Sequence, residues 1–140
     1  MAYKLSDSSR QRLLQCDKQL QDIVLELIKY LDITILPHGG FRDYHTQQML
    51  FEAGKSKVKY PDSKHNKMPS LAVDMAPYPI DWGEGDTPKW KAYGRFYYMA
   101  GQVQMIARYK GINIRWGGDW DGDNDFGDQN FNDLPHFEII

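Results

Sequence analysis

Two short segments, far apart in the chain, carry residues whose types and spacing could do chemistry. The first runs from Ser63-Lys-His65 to Ala72-Val-Asp74 and holds an imidazole and a carboxylate. The second, Asn132-Asp133-Leu-Pro-His136-Phe-Glu138, holds another imidazole between two carboxylates. Two imidazoles and one carboxylate suit a catalytic zinc, for which three protein ligands leave a fourth position open for water. Asp133 is placed to take a proton from such a water. Glu138 competes for that role, but in a strand it shares the face of His136 and could instead orient the imidazole. His38 sits before a Gly-Gly turn and His45 opens a helix, and nothing near either completes a site. Spacing alone leaves His65 and His136 open between metal ligands and ordinary buried histidines, because H-x8-D is far less diagnostic than H-E-x-x-H.

The elements that must position these residues follow from periodicity and punctuation. Residues 8–31 read as one amphipathic helix, opened by a capping-box spacing of Ser8 and Gln11 and lined by Leu13, Leu20, Ile23, Val24, Leu27, Ile28 and Leu31. A β-branched run at 33–36 ends at Pro37 and Gly39-Gly40, a strand and a turn. A helix over 44–53 closes at Gly54, with Met49, Leu50 and Ala53 as its inner face. A basic loop with two prolines then leads into a strand at 71–75, whose alternation puts Ala72 and Asp74 on one side. Thr87-Pro88 starts a long helix that stops at Gly111, with Trp90, Tyr93, Tyr97, Ala100, Val103 and Ile106 as its inner stripe. Strands at 112–116 and 136–140 flank an acidic loop. This order predicts an α+β domain spanning 1–140: a small, largely antiparallel sheet with helices packed on it.

Composition narrows the function classes. A chain of 140 residues is enough for one domain with a real core. The net charge of -2 gives no electrostatic reason to expect nucleic acid. An aromatic share of 14% suggests a rigid groove as well as a core. The single cysteine, Cys16, cannot form an internal disulfide and reads as a half-buried apolar residue. No apolar run has the length of a signal peptide core or a membrane span, which implies synthesis and folding in a cytoplasm. No exposed heptad asks for a dimer, so a monomer is expected. The loop with Asp119, Asp121, Asp123, Asp125 and Asp128 would repel itself unless neutralised, and calcium is the obvious counter-ion. It is not in EF-hand register, since Phe126 stands where the turn glycine belongs, and a solvated acidic loop is the alternative.

Taken together, these blocks resemble the M15 family of zinc peptidases, which includes D-Ala-D-Ala carboxypeptidases and dipeptidases and phage L-alanyl-D-glutamate endopeptidases. Ser63-Lys-His65 through Ala72-Val-Asp74 is similar to the family's S-x-H-x-x-G-x-A-x-D, and Asp133-Leu-Pro-His136 to its D/E-x-x-H. Gly40-Phe-Arg42, Gln47, Leu50 and Gly54-Lys-Ser56 resemble the segment leading into the first motif, and Arg115-Trp-Gly-Gly-Asp-Trp120 the W-G-G-D-W block of the endopeptidase branch. Two departures stand out: the His-to-Asp spacing is two residues longer, with Ser70 in place of glycine, and an acidic insert follows the W-G-G-D-W block.

The resemblance implies a D-Ala-D-Ala peptidase/Hedgehog-like fold and zinc held by His65, Asp74 and His136. It makes Asp133 the general base, Arg42 the group that stabilises the oxyanion or anchors a substrate carboxylate, and Gln47 and Ser63 lining of the substrate cleft. It points to a phage-type endolysin that cuts the L-Ala-D-Glu bond of peptidoglycan stem peptides after waiting in the host cytoplasm for the membrane to open. A D-Ala-D-Ala carboxypeptidase or dipeptidase is the enzyme alternative. A metal-stabilised wall-binding module without turnover is the non-enzyme alternative.

Overall fold

The computed structural model describes residues 3–127 and 132–140. Its organising strand is β2 (Ala72–Pro77), buried along its whole length. On one side β2 pairs antiparallel with β1 (Ile33–Ile35), and on the other with β4 (His136–Ile139). β4 in turn pairs antiparallel with β3 (Ile114–Trp116), giving the order β1-β2-β4-β3. The register sets Asp74 opposite His136 and Ala72 opposite Glu138. Because side chains alternate along a strand, Val73, Met75 and Phe137 enter the core while Asp74, His136 and Glu138 share the other face. The expected α+β architecture is therefore present, and the sheet itself brings the two distant segments together.

The core lies between the sheet and two helices, α2 (Lys18–Leu27) and α4 (Lys89–Lys110). Leu20, Ile23, Val24 and Leu27 of α2 meet Phe96, Met99, Val103 and Ala107 of α4. Each such large side chain contributes about 1.5–3 kcal/mol when fully buried. α4 ends at Gly111, whose φ of 69° is the left-handed conformation that closes a helix without a Cβ clash. No helix among the described residues is long and apolar enough to cross a membrane.

Three expectations need correction. The helix expected over 8–31 is two: α1 (Asp7–Leu14), capped by Ser6 rather than Ser8, and α2. Between them the backbone turns sideways to Ser70, whose N–H donates to Gln15 O at 2.8 Å while its own O accepts from Asp17 N at 2.8 Å. Asp17 then caps α2 by accepting from Gln19 N, so the ladder is interrupted with its polar groups satisfied. In α3 (Tyr44–Glu52) the buried residue is Gln47, and Met49 is 46% exposed. Along α4 the inner stripe is Ala92, Phe96, Met99, Ala100, Val103 and Ala107; Trp90, Tyr93, Tyr97 and Ile106 are not buried. Small alanines let α4 approach closely, which turns its tyrosines outward.

Candidate metal centre

His65, Asp74 and His136 converge, each buried and each offering a ligand atom within 4.8 Å of the others. His65 rides on a 3-10 turn (Lys64–Asn66) that Ser63 caps, its Oγ accepting from His65 N at 3.1 Å. Its Nδ1 lies 2.7 Å from Gly40 O; a carbonyl only accepts, so Nδ1 carries a hydrogen and Nε2 is the nitrogen that faces the site. That Nε2 is buried without a hydrogen bond, 3.3 Å from Asp74 Oδ2. A buried nitrogen and a carboxylate oxygen at this distance are stable only with a cation between them, a part that a metal ion would fill. Ser70 Oγ, 3.2 Å from the same Gly40 O, braces the carbonyl from behind.

His136 is held at both nitrogens: Nδ1 is 3.0 Å from Asp74 Oδ1 and Nε2 is 2.8 Å from Glu138 Oε1. Burial alone would lower its pKa, but the hydrogen bonds to Asp74 and Glu138 prevail and push it up to about 10. Burial likewise opposes ionisation of Asp74, yet His65 and His136 hold its carboxyl well below the usual carboxylate range. Glu138 is lowered too, its burial outweighed by the bond from His136. Glu138 is thus engaged with the imidazole of His136.

Asp133 stands over this group, its Oδ2 4.0 Å from His136 Nδ1 and its side chain 35% exposed. Burial and the neighbouring Asp74 charge raise its pKa, against the pull of His136, His65 and Arg42. Its backbone is clamped: Asp133 N donates to Gly117 O at 2.8 Å, and Gly117 N donates to His136 O at 2.8 Å. A Cβ on Gly117 would lie 2.0 Å from Asp133 O, so only glycine fits there. Trp116 Nε1 adds a bond to Leu134 O at 2.8 Å. The sequence showed these residues as a similar block but not their task, which is to fix the backbone around Asp133.

Arg42 donates from Nη2 to Asp74 Oδ2 at 2.8 Å and from Nε to His38 O at 2.8 Å. It lines a cleft of about 700 Å³ together with Asp74, Asp133, Lys55, Trp82, Tyr93 and Tyr97. Gln47 and Ser63, expected in the cleft wall, are not among its lining residues. Gln47 is fully buried, donating to Ser56 Oγ and Val58 O at 2.8 Å and accepting from Asn66 Nδ2. Ser63 is spent on the turn that carries His65. Both act beneath the site. The lining residues that sequence reasoning missed, Tyr93 and Tyr97, had been assigned to the core because their spacing is helical; their alternation with Ala92 and Ala100 was the available signal.

A second acidic group, Asp119, Asp121 and Asp123, also gathers within 4.8 Å. Asp119 Oδ1 is buried without a partner, while Asp119 Oδ2 accepts from Asn124 N at 3.0 Å. Asp125 turns away, accepting from Gly127 N, and Asp128 lies outside the described residues.

The chain is 28% identical over 135 residues to the L-alanyl-D-glutamate peptidase of Escherichia phage T5, covering 92% of this chain and 90% of that one. Its fold matches the crystal structure of the Serratia marcescens L-Ala D-Glu endopeptidase ChiX with a TM-score of 0.68, at 23% identity and over 98% of this chain and 90% of the other. The family model described as phage L-alanyl-D-glutamate peptidase matches residues 1–140, and the chain belongs to that family.

Proposed function

We propose that this chain is one catalytic domain that hydrolyses the L-Ala-D-Glu bond of peptidoglycan stem peptides, with zinc held by His65 Nε2, Asp74 and His136 Nδ1. The carrying observation is the unpartnered His65 Nε2 facing Asp74, with Asp133 above them on the cleft wall. His65 Nε2 and His136 Nδ1 lie 3.3 and 3.0 Å from the two oxygens of Asp74, so these side chains would hold one such ion between them. When bound, zinc would polarise the scissile carbonyl and bring the pKa of a water to ~7. Asp133, its pKa raised toward the working range, takes the proton from the attacking water and returns it to the departing D-Glu nitrogen. The alanyl carbonyl leaves as a carboxylate and the glutamyl nitrogen as an amine, so one water is consumed. Arg42, anchored at two points, sets a fixed positive charge beside the developing oxyanion. Glu138 and Gly40 O fix the orientation of the two imidazoles.

A second cation belongs to the same proposal. Calcium suits the oxygen-only group of Asp119, Asp121 and Asp123, and the buried, unpartnered Asp119 Oδ1 supports it. The protein would work as a monomer, reaching the wall from the host cytoplasm once the membrane is opened. Digestion of purified peptidoglycan by the zinc-loaded chain, read by mass spectrometry beside Asp133→Ala, tests the proposal. New N-terminal D-Glu ends, absent with the variant, are expected. Released D-Ala would move the protein to the carboxypeptidase branch, and zinc binding without any product would leave a binding module.

A further inference from the structure

One lysine of the cleft lining, Lys55, is not used by the chemistry above. Lys55 lines the same cleft as Arg42, Asp133 and Leu50, and no ion pair engages its side chain among the described residues. Arg42 differs, since two of its donors are committed to His38 O and Asp74. Lys55 is also firmly mounted for a lysine in a loop. Gly54, at φ 74°, turns the chain at the end of α3, and the N–H groups of Lys55 and Ser56 both return to Leu50 O, at 2.9 and 3.1 Å. The buried amide of Gln47 then ties Ser56 and Val58 to Asn66, beside His65. The base of the lysine is thereby fixed relative to the metal group, although the two are separate in sequence.

Resting on the proposed substrate, we infer that Lys55 reads the free α-carboxylate of the D-Glu residue and so sets specificity at the leaving side. In a stem peptide this glutamate continues through its γ-carboxyl, so the α-carboxyl is either a charged carboxylate or, in D-isoglutamine, a neutral amide. The α-carboxyl carbon follows the scissile nitrogen by two bonds, about 2.5 Å, so its reader must sit in the same cleft as the proton-moving Asp133. A lysine ammonium binds a carboxylate as a point charge and gains little from a neutral amide. Lys55 therefore favours the acid form of the substrate over the amidated form.

The test measures kcat and KM for two synthetic stem peptides, identical except for D-Glu or D-isoglutamine, with the wild type, Lys55→Met and Lys55→Arg. The wild type prefers the D-Glu peptide. Lys55→Met lowers kcat/KM on that peptide by about ten- to hundredfold, the range for losing a hydrogen bond to a charged group, mainly through KM. It falls far less on the amidated peptide, so the preference collapses, and Lys55→Arg restores most of it. An equal loss on both peptides, or none on the D-Glu peptide, overturns the inference while leaving the hydrolase proposal standing. A wild type that cleaves neither peptide overturns both.

Discussion

The molecule has two places where acidic residues crowd together, and they are built in opposite ways. His65, Asp74 and His136 are all buried; the β2–β4 register aligns Asp74 with His136, and a capped 3-10 turn brings in His65. Each imidazole has an oxygen acceptor behind it, Gly40 O for one and Glu138 for the other. Asp119, Asp121 and Asp123 come from a single loop; only Asp119 is buried, and the loop's backbone amides fold back on its own carboxylates. The first group is preorganised by tertiary structure and offers nitrogen; the second is local and offers oxygen alone. On the proposed reading, a borderline-soft ion would suit the first and a hard, geometrically tolerant ion the second.

Perturbations should separate the two groups, and their effects can be ranked. His65→Ala removes a proposed ligand from the preorganised site and should abolish both stoichiometric zinc retention and peptidoglycan hydrolysis, measured by metal analysis after dialysis and by product release. Gly117→Ala comes next. Its methyl would meet Asp133 O, so hydrolysis should fall at least tenfold, with a destabilisation of about 1–3 kcal/mol in urea unfolding. Glu138→Gln keeps the shape but loses the charge behind His136, and zinc affinity should weaken by about 10–100-fold in chelator competition. Asp121→Asn should leave zinc affinity within about twofold while weakening calcium binding in a calorimetric titration; equal damage to zinc would mean that the two groups are one.

The smallest effect lies away from both groups. Burial, with the Asp74 and Asp17 charges, pushes the Cys16 thiol up from 9.0 to about 12. Between those values the unfolded thiol ionises and the folded one does not, so its contribution is intact below pH 9 and is lost as pH rises toward 12. Cys16→Ala should flatten that part of the stability-against-pH curve. The native thiol should also resist alkylation at pH 8 until the chain is unfolded.

What could be read from the sequence follows the same division between local and tertiary causes. The strands carrying Asp74 and His136 were legible because alternation is a local property, and their pairing turned the spacing of two motifs into one site. The break at Gln15–Asp17 was hidden because Ser70 supplies its hydrogen bonds from a distant loop, although Asp17 as a cap was visible in principle. Gln47 was assigned to the cleft by likeness, whereas its burial depends on Ser56, Val58 and Asn66 arriving around it. Tyr93 and Tyr97 show the converse: helical spacing marked them for the core, but Ala92 and Ala100 pack more closely and leave the rings to the cleft.

The central claim is that His65, Asp74 and His136 hold the metal while Asp133 moves the proton. Its most direct test is to measure zinc content and stem-peptide cleavage together in Asp133→Asn. One zinc per chain with wild-type affinity, and cleavage reduced by about 10²–10⁴, is the expected result. Cleavage near the wild-type rate, or loss of zinc along with activity, would contradict the division of labour between the three ligands and the base.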